Sequence, residues 1–191
     1  MKSGQKLSKS ILPVALVTVL ILMVPLVAMQ FTNEVNWSAF DFFGMGALLF
    51  GTGMLIAVAI RSGTHIAYRA GMLIAIGATF LMIWANLAVG LIGAGPHAGN
   101  LMYAGVIWVI ILGIYFSRFK PAGMERTMFA TAGSLILLLG IALLAGMQNY
   151  PGSSVGEIIG VNLFFATPYA VAGLIFRYVR LEQNSTKEVA S

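Results

Sequence analysis

The sequence contains no cysteine. That excludes disulfides, cysteine-ligated zinc, iron–sulfur clusters and thiol nucleophiles, and it leaves the compartment open. Charge is also scarce. Asp, Glu, Lys and Arg make up 9% of the chain, against about 25% in an ordinary soluble domain. Only two histidines occur, His65 and His97. The topology derived below puts them on opposite sides, so one chain cannot join them in a haem or metal site. There is no GxSxG, no HExxH and no phosphate-cradling Gly-Lys motif. A triad of His97 with Ser153 or Ser154 and Glu157 has no spacing to support it. The expectation is a non-enzymatic protein with no cofactor and no metal.

What is present is apolar. Hydrophobic residues make up 59% of the 191 positions, and the mean hydropathy is +0.92. A bilayer core about 30 Å thick needs roughly 20 mainly apolar residues per helix. Runs of that kind cover 11–29, 39–60, 70–92, 100–116, 127–147 and 155–176. Polar turns separate them, among them RSGTHIAYR, SRFKPAGMER and QNYPGSS. The fold class is therefore all-α, a polytopic transmembrane helix bundle of six spans. Residues 1–10 form a polar N-terminal segment, 11–176 one six-span domain, and 177–191 a polar tail. Residues 1–29 also have the outline of a signal peptide. The apolar run is long for that, however, and no small-x-small cleavage site follows it, so an uncleaved first helix is the better reading. Pro13 falls in the first turn of that helix, and Pro25 is expected to kink or end it.

Charge sorts this topology. With the N-terminus in the cytoplasm, all eleven Lys and Arg fall inside, while Glu34, Asp41 and Glu157 fall outside. The positive-inside rule then places both termini in the cytoplasm. The basic residues are explained as topology determinants, and no nucleic-acid partner is expected. An echo at an offset of 57 residues pairs Arg61 with Arg118 and Arg69 with Arg126. If it is a repeat, spans 2–3 and 4–5 are parallel hairpins.

Small residues are abundant. Gly44, Gly46, Gly51 and Gly53 all fall in the second span, and Ala47/Gly51 and Gly53/Ala57 are four apart. Such pairs let helices approach closely in lipid. The partners expected are the lipid bilayer, a second copy of the chain or another membrane protein.

The polar residues inside the spans are the candidate sites. Asp41 and Glu157 stand three residues after Ser38 and Ser154, the spacing of a capping box. They read as helix starts, with a cation or proton contact as the sharper alternative. Asn86 lies about two turns inside the third span, where an unpaired amide costs several kcal/mol. It needs a partner helix, a cavity or a ligand, and it shares a stripe with Thr79, Ile83, Gly90 and Gly93. Asn162 lies similarly in the sixth span, beside Ala166, Tyr169 and Gly173, with Pro168 as a kink. If spans 3 and 4 fold as a hairpin near Pro96, Trp84 and Trp108 come to one depth. They would then floor an outside pocket under Asn86, His97, Asn100 and Tyr103; ordinary packing is the alternative. His97 is either a solvated loop residue or a pH sensor. A solute transporter would place Asn86 and Asn162 facing one another across a cavity.

At WANLAVGLIGAGPHAGNLMY and FKPAGMERTMFATA the chain resembles a group of small, uncharacterised multi-span bacterial inner-membrane proteins. The resemblance covers spans 2 to 6. It implies a multi-pass protein of the bacterial inner membrane and carries no activity. Members of the group have acidic residues where this chain has Ala94-Gly95-Pro96-His97, so an acidic loop site is not expected here.

Overall fold

The computed structural model describes residues 2–61, 65–93, 95 and 97–189, with side chains between residues 9 and 186. The chain is 84% helical, with no strand among the described residues. The helices are α1 (Lys2–Ala28), α2 (Ala39–Arg61), α3 (Ile66–Ala88), α4 (Met102–Ser117), α5 (Pro121–Leu144) and α6 (Val155–Val189). Tight 3-10 turns, Ala98–Leu101 and Met147–Asn149, lie before α4 and after α5. Among the described residues, six helices are long and apolar enough to cross a membrane. The chain divides into two compact units, Met1–Ser62 and Gly63–Ser191.

In the first unit α1 packs on α2. Glycine makes this possible. A Cβ at Gly53 would lie 2.6 Å from Val14 of α1, and one at Gly46 would lie 3.3 Å from Leu22. Pro25 does not end α1; it sits in the last turn, and its carbonyl accepts from Met29 N–H at 2.9 Å. At the start of α2, Asp41 Oδ2 accepts from the Ser38 backbone N–H and hydroxyl, both at 2.7 Å. Asp41 N–H returns a bond of 3.3 Å to Ser38 Oγ. That is the reciprocal capping box the spacing predicts.

In the second unit α6 is the central helix. It packs against α5 and α3, and α4 packs against α5. The helix bounds differ from those hydropathy alone gives: α3 ends at Ala88 rather than 92 and α5 at Leu144 rather than 147, so Asn86 lies in the last turn of α3 and not two turns inside it. α3 starts at Ile66 because His65 caps it, with Nδ1 accepting from Ala67 N–H at 3.2 Å. α5 starts at Pro121, a residue suited to the first helical position. α6 does not give way to a loose tail at Arg177 but stays helical to Val189.

That polar extension of α6 has partners on both neighbours. Arg180 Nε meets Glu125 Oε2 of α5 at 2.7 Å. Glu182 Oε2 meets His65 Nε2 at 2.8 Å. Because Nδ1 of His65 is the capping acceptor, Nε2 carries the proton and donates to Glu182. The Phe176 ring meets Tyr68 edge-on at 5.2 Å, and Val179 is fully buried.

Buried tyrosines tie the helices together. Tyr68 OH donates to the carbonyl of Phe119 at 2.6 Å. Tyr103 OH donates to Asn162 Oδ1 at 3.3 Å. The Thr79 hydroxyl donates to Ala75 O, so Tyr169 OH donates to Thr79 Oγ1 at 2.8 Å. In an apolar surround each hydroxyl needs such a partner. Pro168 removes one amide donor from α6 without breaking the helix.

Candidate functional site

The end of the second unit that holds the α3–α4 and α5–α6 connections carries the densest polar cluster among the candidates. Asn100 is its hub. The Asn100 side chain is buried, and its Oδ1 accepts from Leu91 N–H and Ile92 N–H, both at 2.8 Å. Its Nδ2 donates to Ile92 O at 3.2 Å and Gly95 O at 3.3 Å. One amide thus replaces the backbone partners that a loop leaving a helix would otherwise lack. The close approach needs glycine at position 90. Gly90 has φ +77°, and a Cβ there would lie 2.7 Å from both Asn100 Nδ2 and Gly95 O.

Asn86 finds its partner at the same hub. Its Nδ2 donates to the main-chain oxygen of Asn100 at 3.1 Å. Its Oδ1 is buried and has no hydrogen-bond partner. The loop then packs on the opposite connection. The His97 ring stacks on Tyr150 with centroids 3.9 Å apart and planes at 19°. Nδ1 of His97, Oε1 of Gln148 and Oγ of Ser153 are likewise buried and unpartnered. A cavity of about 540 Å³ opens here, lined by Asn86, Gly90, Gly95, His97, Asn100 and Leu101 among others. Ala94 and Pro96, the latter expected at the tip of the hairpin, lie outside the described residues.

The other candidates separate from this cluster. Asn162 is fully buried, bonded through Nδ2 to Ile158 O at 2.8 Å and through Oδ1 to Tyr103, and it does not line the Asn86 cavity. Tyr103 is buried with it. Trp84 and Trp108 do not floor the pocket. They are 44% and 58% exposed, and Trp84 stacks on Phe80. The reason is that α3 and α4 do not pack along their lengths; each uses another helix as its main neighbour. Glu157 is exposed, and its N–H bonds to Ser154 Oγ at 3.1 Å, the backbone half of a capping box. Among the described residues no three His, Cys, Asp or Glu side chains come together in a way that would hold a metal ion.

The sequence singles out Asn86 as an amide within an apolar run, but not Tyr68 or the two ion pairs of the α6 extension. Tyr68 carries no local signal, because its partner is a backbone oxygen in a distant turn. No protein-family model, no curated protein and no solved structure matches this chain.

Proposed function

We propose that this chain is a multi-pass protein of the bacterial inner membrane, with both termini in the cytoplasm, and that it acts without catalysis by helix packing with a second transmembrane partner. One observation carries the reading. α2 has two small-residue faces, and α1 uses only one of them. Gly46 and Gly53 receive Leu22 and Val14 of α1. Gly44 and Gly51 lie on the opposite side of the helix with nothing within 4 Å of where a Cβ would stand, and Ala47 between them is exposed. In lipid, helix association rests on close packing at small residues rather than on hydrophobic burial. The charge asymmetry of the turns supports the orientation.

The absence of cysteine makes the test direct. Ala47→Cys and Gly51→Cys, each the only thiol in the chain, are oxidised in native membranes. The expected result is a disulfide-linked dimer of the chain, or a linked second protein, from both positions. Leu137→Cys, exposed on α5, should give none. Monomer alone at all three positions counts against the proposal.

A second reading rests on the cavity beside Asn86, whose Oδ1 is left without a partner. It is a small-solute binding or transport unit that rests on Asn86 alone, because Asn162 is sealed against Ile158 and Tyr103 and does not face Asn86 across the cavity. Solute flux in proteoliposomes should then fall in Asn86→Leu. Equal flux in the variant and the parent would remove this reading.

A further inference from the structure

The turn between α4 and α5 has a backbone that ordinary residues avoid. Arg118 and Phe119, neither of them glycine, both have positive φ, at 48° and 59°. For L-residues with side chains the left-handed region is unfavourable, and two in succession are rarely found. The turn is held by several bonds. Tyr68 OH donates to Phe119 O at 2.6 Å, Phe119 N–H to Ser117 Oγ at 3.2 Å, and the Ser117 hydroxyl to Ile114 O at 2.9 Å. Lys120 N–H closes it on Ser117 O at 2.9 Å.

What this turn presents is specific. An open depression of about 620 Å³ is lined by Tyr115, Phe116, Ser117, Arg118 and Lys120. Both aromatic rings are largely exposed, and so are both cations. Neither Arg118 nor Lys120 has an ion-pair partner among the described residues. The nearest acid in sequence, Glu125, is already engaged by Arg180. The depression therefore joins an unneutralised double positive charge to an apolar aromatic wall at the end of an apolar helix.

We propose that this depression binds the headgroup of an anionic glycerophospholipid. The phosphodiester is held between the Arg118 guanidinium, whose planar fork matches phosphate oxygens, and the Lys120 ammonium. Tyr115 and Phe116 lie against the glycerol and upper acyl region, where aromatic side chains collect. The proposal rests on the reading that the helices sit in a bilayer, and it goes beyond it by naming a ligand and its contacts. Basic residues next to a membrane span attract anionic lipid in general; the bound and oriented headgroup is the added claim.

The test uses the purified full chain in vesicles of equimolar phosphatidylcholine and phosphatidylglycerol. Flotation is read first, then the lipid retained on the protein by native mass spectrometry. The parent should float and retain phosphatidylglycerol over phosphatidylcholine. Arg118→Gln with Lys120→Gln should lower that retention roughly tenfold or more, as two basic residues at a surface imply. Arg126→Gln with Arg177→Gln removes the same charge from exposed helical positions and should lower retention clearly less, by the general attraction alone. Arg118→Gly serves as the folding control. It relieves the left-handed strain, so it should raise the unfolding temperature while still lowering retention. A chain that fails to float overturns the membrane reading and this site with it. Flotation without preference for phosphatidylglycerol overturns the site alone. So does equal loss in the two double variants, or unchanged retention in Arg118→Gly. Displacement by inorganic phosphate at constant ionic strength would assign the depression to free phosphate and overturn the lipid.

Discussion

Asn86 and Asn100 are joined by one hydrogen bond of 3.1 Å, but they do different work in it. Asn86 contributes its side chain, and Asn100 contributes only its main-chain oxygen. The side chain of Asn100 is already committed to Leu91, Ile92 and Gly95. Asn100 therefore organises the loop, and Asn86 is fixed by a loop that is already organised.

The two asparagines should differ in their sensitivity to substitution. Asn100→Leu leaves two buried N–H groups unpaired and should cost about 2–4 kcal/mol. Asn86→Leu removes one bond together with an unpartnered oxygen and should cost about 1 kcal/mol or less. Thermal unfolding of the purified protein in detergent gives the order, and equal losses would contradict it.

The Tyr103–Asn162 pair allows a rescue test. Tyr103→Phe strands the Asn162 oxygen in a fully buried position and should cost about 1–2 kcal/mol. Adding Asn162→Leu should recover part of that loss, because an apolar pair has nothing left to satisfy. Tyr169→Phe should cost less, about 0.6 kcal/mol, since Thr79 keeps its own bond to Ala75. A double variant no more stable than Tyr103→Phe alone would show that the Asn162 bond to Ile158 O outweighs the stranded oxygen.

Two glycines of the α4–α5 region should respond with opposite signs. A Cβ at Gly113 would overlap the Thr127 side chain, while one at Gly133 meets nothing within 4 Å. Gly113→Ala should destabilise by about 1–3 kcal/mol through overpacking. Gly133→Ala should stabilise by about 0.5–1 kcal/mol through helix propensity. The difference in unfolding temperature between the two variants is the measurement.

The extension of α6 is expected to depend on its ion pairs only modestly. Arg180 is partly exposed, so a double-mutant cycle on Arg180 and Glu125 should give a coupling of about 0.5–1 kcal/mol. The more sensitive reading is local. Proteolysis after residue 176 should accelerate when Glu125→Ala and Glu182→Ala are combined, with little change in global unfolding. An unchanged cleavage rate would mean that Phe176 and Val179 hold the extension without help.

The sequence made the helices legible because six long apolar runs have no other simple arrangement, and the described residues form six helices of that kind. The start of α2 was legible too, because a capping box is a three-residue pattern, read without knowledge of the fold. The extension of α6 was not. RYVRLEQNS is polar, and its helix is supported by His65 and Glu125, which hydropathy cannot bring near. Trp84 and Trp108 show a second limit. Their depth follows from counting along a helix, but their direction depends on which helices are neighbours, and α3 and α4 are not packed neighbours. At the candidate site, the need of Asn86 for company was legible from an amide in an apolar run, although α3 ends at Ala88 and the residue is less deep than expected. Its companion, a backbone oxygen in a loop, was not.

The central place of α6 has a consequence for the order of synthesis. α3, α4 and α5 leave the ribosome before the helix that α3 and α5 pack against. Until α6 arrives, Tyr103 has no Asn162, Thr79 has no Tyr169, and Glu125 has no Arg180. The nascent unit is thus a set of waiting helices with unspent hydroxyls and a half-buried acid, exposed to quality-control proteases and to wrong partners. The helix made after α3, α4 and α5 is the one that closes the unit.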